Sequence, residues 1–233
     1  MNLELCTDSV EGAEMAARYA FNRIELCAAL SEGGLTPSFG LIKACAQAAK
    51  AVEVHVMIRT RGGGFTCSGS EFNVMAEDVE QAARAGARGV VFGILEEDGH
   101  ISQLNSNLCN IARGLGLQVT FHRAFDQLAE PFQGIETLID MNFNRVLTSG
   151  SKEKAIDGLE LLRDLQRDYG QSIEIMAGSG VNAQNAPAFL SAGIENLHFT
   201  ARRRSEHKII QGMGIEMVTD EEKIRDIIAA LKQ

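Results

Sequence analysis

Short β-branched or aromatic runs alternate eight times with longer helical patterns along this chain. Strand candidates begin near Leu3, Arg23, Val52, Gly89, Gln118, Arg145, Ile173 and Asn196, and successive starts lie 20, 29, 37, 29, 27, 28 and 23 residues apart. That spacing is the period of a strand–helix unit. Helix candidates fill the gaps at about 9–20, 38–50, 71–86, 102–114, 131–142, 152–168 and 182–191, with an eighth at about 219–231. Pro131 suits a first helical turn, and Thr219, Asp220, Glu221 and Glu222 resemble an acidic capping box. Gly86 and Gly193 suit helix ends. Eight such units predict a (β/α)8 TIM barrel, an α/β fold, formed as a single domain by residues 1–233. The alternative is an open doubly wound sheet, which is weakened because no GxGxxG follows the first strand.

Composition excludes several function classes. A net charge of −9 argues against nonspecific nucleic-acid binding, which needs a basic face. No run approaches the length of a membrane span, and the chain passes from Met1 straight into a strand pattern without a signal peptide. Five cysteines, an odd number without CxxC pairs, suit reduced thiols in the cytoplasm.

One phrase occurs twice: "LELC" at residues 3–6 and "IELC" at residues 24–27. Strand side chains alternate between two faces. Leu3 and Leu5 oppose Glu4 and Cys6, and Ile24 and Leu26 oppose Glu25 and Cys27. In the third strand Val54, Val56 and Ile58 oppose Glu53, His55, Met57 and Arg59. Apolar faces must meet the helices, so Glu4, Glu25, His55, Arg59, His122 and His198 are expected to converge inside the barrel. Buried charges must pair or bind something. A structural ion network is the alternative to a functional site at the strand ends.

Three stretches carry candidate chemistry. In "TFHRAFD", His122, Arg123 and Asp126 suit proton transfer beside an anionic group, with Glu25 and His55 as further catalytic candidates. A plain Arg123–Asp126 loop salt bridge is the alternative. In "RTRGGGFTCSGS", Arg59 and Arg61 with three glycines read as an anion clamp or a lid, and otherwise as a surface loop. In "MAGSGV", Gly178, Ser179 and Gly180 are expected to end the seventh strand and open a helix, a place for an anion. Cys6 and Cys27 fall on neighbouring strands at similar height. Two thiols with nearby thioether or imidazole groups suit a soft ion such as Cu(I), and otherwise read as packed core residues. Cys67 would join such a site only if its loop folds inward, whereas Cys45 and Cys109 lie on helix patterns.

The stretches "RIELCAALSEGGLTPS", "VHVMIRTRGGGF", "VTFHRAFD", "RVLTSGS", "IMAGSGV" and "LHFTARR" occur in this order over about residues 3–204. On them the chain resembles the CutC family of copper homeostasis proteins. The resemblance implies a cytoplasmic TIM barrel and Cu(I) binding, with the implied ligands falling on Cys6 and Cys27. Two functions are therefore carried forward: a copper-binding protein, and an enzyme acting on a small phosphorylated or carboxylated metabolite. The expected partners are a copper ion or that anionic metabolite, with no nucleic acid and no membrane, and a homodimer is left open.

Overall fold

The computed structural model describes residues 1–206 and 215–232. Of the expected connection between Thr200 and Val218, residues 207–214 lie outside the described residues. Eight strands close into a parallel barrel in chain order: β1 Asn2–Thr7, β2 Arg23–Leu26, β3 Glu53–Met57, β4 Gly89–Phe92, β5 Gln118–Phe121, β6 Arg145–Thr148, β7 Glu174–Ala177 and β8 Asn196–Phe199. β8 pairs back onto β1, with Glu4 beside His198. Around them pack α1 Val10–Arg18, α2 Phe39–Ala48, α3 Gly69–Ala85, α4 Leu104–Gly114, α5 Pro131–Asp140, α6 Leu159–Tyr169, α7 Ala186–Ser191 and α8 Glu221–Ala230. A two-stranded ribbon, β9 Arg202–Arg204 with β10 Met217–Thr219, precedes α8. No helix among the described residues is long and apolar enough to cross a membrane.

The outward strand residues Leu5, Ile24, Leu26, Val54, Val56, Val90, Phe92, Val119, Phe121, Val146, Ile175 and Leu197 join one core with the helices. Moving these side chains out of water, at about 25 cal/mol per Å² of apolar surface, drives the barrel to close. The inward face is polar, as the alternation predicts. Glu4, Arg23, Glu25, His55, Thr120, His122, Arg145 and His198 are all buried.

Several boundaries differ from the sequence reading for local reasons. The capping box of α3 is formed by Ser68 and Glu71, which lengthens that helix at its start. α8 is capped by Asp220 alone, whose side chain accepts from Glu222 and Lys223 N–H groups. The sixth helix begins at Leu159 instead of near 152, after a 3₁₀ turn at Ala155–Gly158. Gly158 packs so closely on the Ser149 and Gly150 backbone that no side chain fits there. The seventh begins at Ala186 instead of near 182. There the Asn182 side chain accepts from the Gln184 and Asn185 N–H groups, competing with a helical turn until Pro187 starts one.

Candidate metal and small-molecule site

At the C-terminal mouth of the barrel lies a cavity of about 350 Å³. Its floor is made by Cys6, Glu25, Met57 and His198. Arg59, Phe65, His122, Arg123 and Leu147 form walls, and the turn Leu30–Gly33 overhangs it.

The duplicated phrase supplies the floor. Register places Cys6 beside Glu25 and Glu25 beside His55. Cys6 Sγ lies 3.3 Å and Cys27 Sγ 3.4 Å from the same oxygen, Glu25 Oε2. The other oxygen, Glu25 Oε1, is buried without a hydrogen-bond partner. His198 bridges two carboxylates: its Nδ1 donates to Glu4 Oε1 at 2.8 Å, and its Nε2 is 3.9 Å from Glu25 Oε2. Glu4 also accepts from Arg23 Nε at 3.0 Å. A chain Arg23–Glu4–His198–Glu25 thus runs up the barrel interior to the two thiols.

This arrangement fixes the charges. Burial alone would discharge His198, but Glu25, Cys6 and Glu4 around it raise its pKa well above the ordinary value. Burial likewise works against ionised Glu4, yet His198 and Arg23 hold its carboxyl far below the usual range. The Cys27 thiol and His198 bring Cys6 down to about 5, against the effect of burial. Cys27, set against Cys6 and buried, is pushed well up. Burial and then the Cys6 charge push Glu25 up as well. Cys6, Glu25, Cys27 and His198 therefore titrate as one unit, with Cys6 drawn toward the thiolate and Glu25 and Cys27 toward their protonated forms.

The other sequence candidates separate. His122 lines the cavity, but burial and then the Arg59 charge lower its pKa to about 3. Its Nδ1 accepts from the Ala124 N–H at 3.2 Å and its ring packs on Phe65. Both effects favour the neutral ring, below the ordinary histidine range from which the sequence reading started. His55 is fully buried, does not line the cavity, and meets Glu53 at 3.3 Å with burial lowering its pKa. Asp126 does not line the cavity either. It ties loops together, accepting from Arg123 Nε at 2.8 Å, from Thr148 Oγ1, and from the Ser149 and Ser151 N–H groups at 3.0 and 3.2 Å.

Arg59 follows the end of β3 and reaches across the mouth, donating to the carbonyls of Glu32, Gly34 and Gly63 and stacking over Phe65. Arg61 turns away to pair with Glu71 at the start of α3. The turn Gly178–Gly180 does not open a helix, because α7 starts only at Ala186, and Ser179 instead donates to the Glu153 carbonyl. The anion site expected there has no helix terminus to supply it. Cys67 contacts Met75 at 3.8 Å and stays outside the cavity. Cys45 and Cys109 sit buried on α2 and α4, their thiols pushed up by burial to about 11 and about 12.

Sequence reasoning missed Arg23 and Arg145. Arg145 donates to Glu174 at 2.7 Å and to Thr120 at 3.0 Å, closing the base of the barrel. It also missed two glycines. A Cβ at Gly89 would stand 2.5 Å from the His55 ring, and one at Gly93 would stand 2.7 Å from His122. Glycine at these two inward positions makes room for the imidazoles. The signal was present: Gly89 opens β4 and Gly93 directly follows it, both an even number of residues from Val91.

Comparison with known proteins places these features in a family. Residues 1–203 match the CutC family. A copper homeostasis protein cutC homolog from Homo sapiens is 45% identical over 202 residues, 86% of this chain and 73% of that protein. A CutC family protein from Enterobacter sp. (strain 638) is 41% identical over 221 residues, 94% of this chain and 88% of that protein. The crystal structure of a CutC protein from Streptococcus agalactiae superposes with a TM-score of 0.80 at 32% identity, covering 85% of this chain and 97% of the other. A 3-hexulose-6-phosphate synthase with a TM-score of 0.65 at 17% identity shares the barrel fold alone. On the matched residues and the shared barrel, the chain belongs to the CutC family.

Proposed function

We propose that this chain serves copper homeostasis by binding Cu(I) through Cys6 on the cavity floor and Cys27 buried beside it. The observation that carries the reading is the convergence of both thiols on one buried carboxylate. Donor atoms of Cys6, Glu25 and Cys27 all lie within 4.8 Å of one another. Thiolates are soft donors that favour Cu(I), and the Met57 thioether packs in the same cluster. The names carried by the human relative and the streptococcal structure point the same way.

Charge balance favours a monovalent ion. Cys6 is drawn toward the thiolate by its neighbours, and Cys27 must lose its proton to become a ligand. Loss of the Cys27 proton offsets the single positive charge that Cu(I) brings into the buried site. A divalent ion would add an uncompensated positive charge beside protonated His198, which burial makes costly. All five cysteines are free, which suits a reducing compartment, the cytoplasm. The alternative, an enzyme using His122 as general acid, is weakened because burial and the Arg59 charge disfavour the protonated ring that an acid must supply.

An anaerobic competition titration against a chromogenic Cu(I) chelator tests the reading. One Cu(I) per chain and release of about one proton are expected for the unsubstituted protein. The Cys6→Ser/Cys27→Ser protein should lose tight binding, and the Cys45→Ser/Cys109→Ser protein should keep it. Unchanged affinity in the first of these would remove both ligands from consideration.

A further inference from the structure

A metal ion held by Cys6 and the buried Cys27 thiol beside it needs almost none of the cavity above. The cavity of about 350 Å³ falls in the range of small-molecule sites, roughly 300–1,000 Å³. Its chemistry has the same character, with apolar walls from Leu30, Met57, Phe65 and Leu147 and a few polar groups.

One of those polar groups is a cation without an ionic partner. Among the described residues Arg59 makes no salt bridge; its terminal nitrogens are held by three backbone carbonyls and its Nε is buried without a partner. Arg123, in the same wall, differs, since its charge is taken up by Asp126. Glu32 is near enough for Arg59 to feel its charge, but its side chain sits exposed at the rim and forms no ion pair. The Arg59 charge instead reaches into the cavity, where it helps to discharge His122. A fixed, half-desolvated guanidinium beside an apolar pocket attracts an anion carrying an apolar body.

We propose that the cavity is a binding site for a small organic anion, its phosphate or carboxylate group held by Arg59 and its apolar body lying against Leu30, Phe65 and Leu147 above the Cys6–Glu25 floor. The anion site anticipated at the Gly178–Gly180 turn thus moves to the opposite wall, where the unpaired charge is. The site shares its cavity with the Cu(I) reading, but Arg59 and the apolar walls do not depend on copper. An occupant in this place would cover the thiols and bring its own donor atoms within reach of any ion they hold.

The test is calorimetric titration of the metal-free full chain with four probes: phenyl phosphate, phenylacetate, inorganic phosphate and benzyl alcohol. Saturable binding is expected for one or both aromatic anions, with the winner telling phosphate from carboxylate. The bare anion and the neutral alcohol should each bind at least about tenfold more weakly, since each lacks one half of the recognition. Arg59→Gln should weaken the aromatic anion about 10- to 100-fold, the range for a hydrogen bond to a charged group. Because Arg59 also pins three loops, Leu147→Trp is the second variant; it fills the pocket without touching Arg59 and should abolish binding. Failure of both aromatic anions to bind, or equal binding by benzyl alcohol, overturns the proposal. So does unchanged affinity in Arg59→Gln or Leu147→Trp. Cu(I) loading of the unsubstituted protein is measured separately. Anion binding without copper sinks only the copper reading, and copper without anion binding sinks only this one.

Discussion

Glu4→Gln is the substitution that most directly disturbs the buried charge chain. Glu4 is 1% exposed and holds two cationic groups at once, Arg23 at 3.0 Å and His198 at 2.8 Å. The glutamine fits the same space but carries no charge. Arg23, also buried, would keep the Met176 sulfur at 3.8 Å and the more distant Glu174 carboxylate at 3.9 Å. Removing one partner of a buried ion pair typically costs about 3–5 kcal/mol, since the other charge is left uncompensated. For a chain of this size that corresponds to a Tm lower by roughly 6–20 °C. Urea unfolding at neutral pH gives the free energy and a thermal scan gives the shift.

The pH dependence supplies a second readout of the same substitution. The folded pKa of His198 is raised, so its contribution is complete below the unfolded value of about 6.5 and is lost as pH rises through the folded one. Glu4 itself is depressed, so its contribution holds above about 4.3 and disappears only in strong acid. Wild-type stability should therefore decline on the alkaline side of neutrality, and in Glu4→Gln that decline should start at lower pH. A stability change within about 0.5 kcal/mol, the size of an ordinary surface substitution, would refute the reasoning.

Other consequences are equally open to measurement. Gly89→Ala sets a methyl 2.5 Å from the His55 ring and should cost about 1–3 kcal/mol by overpacking. In a His55→Ala background most of that cost should vanish, as a double-mutant cycle by urea unfolding would show. The His122 pKa is lowered to about 3, so its NMR shifts should stay flat between roughly pH 5 and 8. Its contribution to stability is present above the unfolded value of about 6.5 and is lost as pH falls towards the folded one, and a midpoint above about 6 would contradict this. Asp126→Asn removes a charge that gathers Arg123, Thr148, Ser149 and Ser151, and should cost about 1.5–3 kcal/mol in the same unfolding assay.

The barrel was legible because its signal is repeated eight times and because period-2 alternation in Leu3–Cys6, Arg23–Cys27 and Val54–Met57 separates the two faces. The same alternation placed Glu4, Glu25 and His198 inside, where the strand register then joined them. What alternation cannot supply is height along the barrel and the path of a loop. His55 and His122 were read alike, yet one is sealed at full burial while the other lines the cavity. Arg61 and Arg59 were read as a pair, yet Glu71 at the α3 capping box draws Arg61 away. The glycine turn after β7 resembled a helix start until the Asn182 side chain and Pro187 deferred the helix. Each miss turns on a side-chain hydrogen bond or a close packing contact, which sequence periodicity does not encode.

In the proposed copper role, the duplicated Glu-x-Cys phrase builds a two-thiol Cu(I) site at the base of the barrel mouth, with Cys6 on the cavity floor and Cys27 buried beside it. X-ray absorption at the copper edge of the anaerobically loaded protein tests it most directly. The account predicts one Cu(I) per chain with two sulfur ligands in the unsubstituted protein, and one fewer sulfur in Cys6→Ser or Cys27→Ser. A copper signal with nitrogen and oxygen ligands alone, or a sulfur count indifferent to both substitutions, would contradict it.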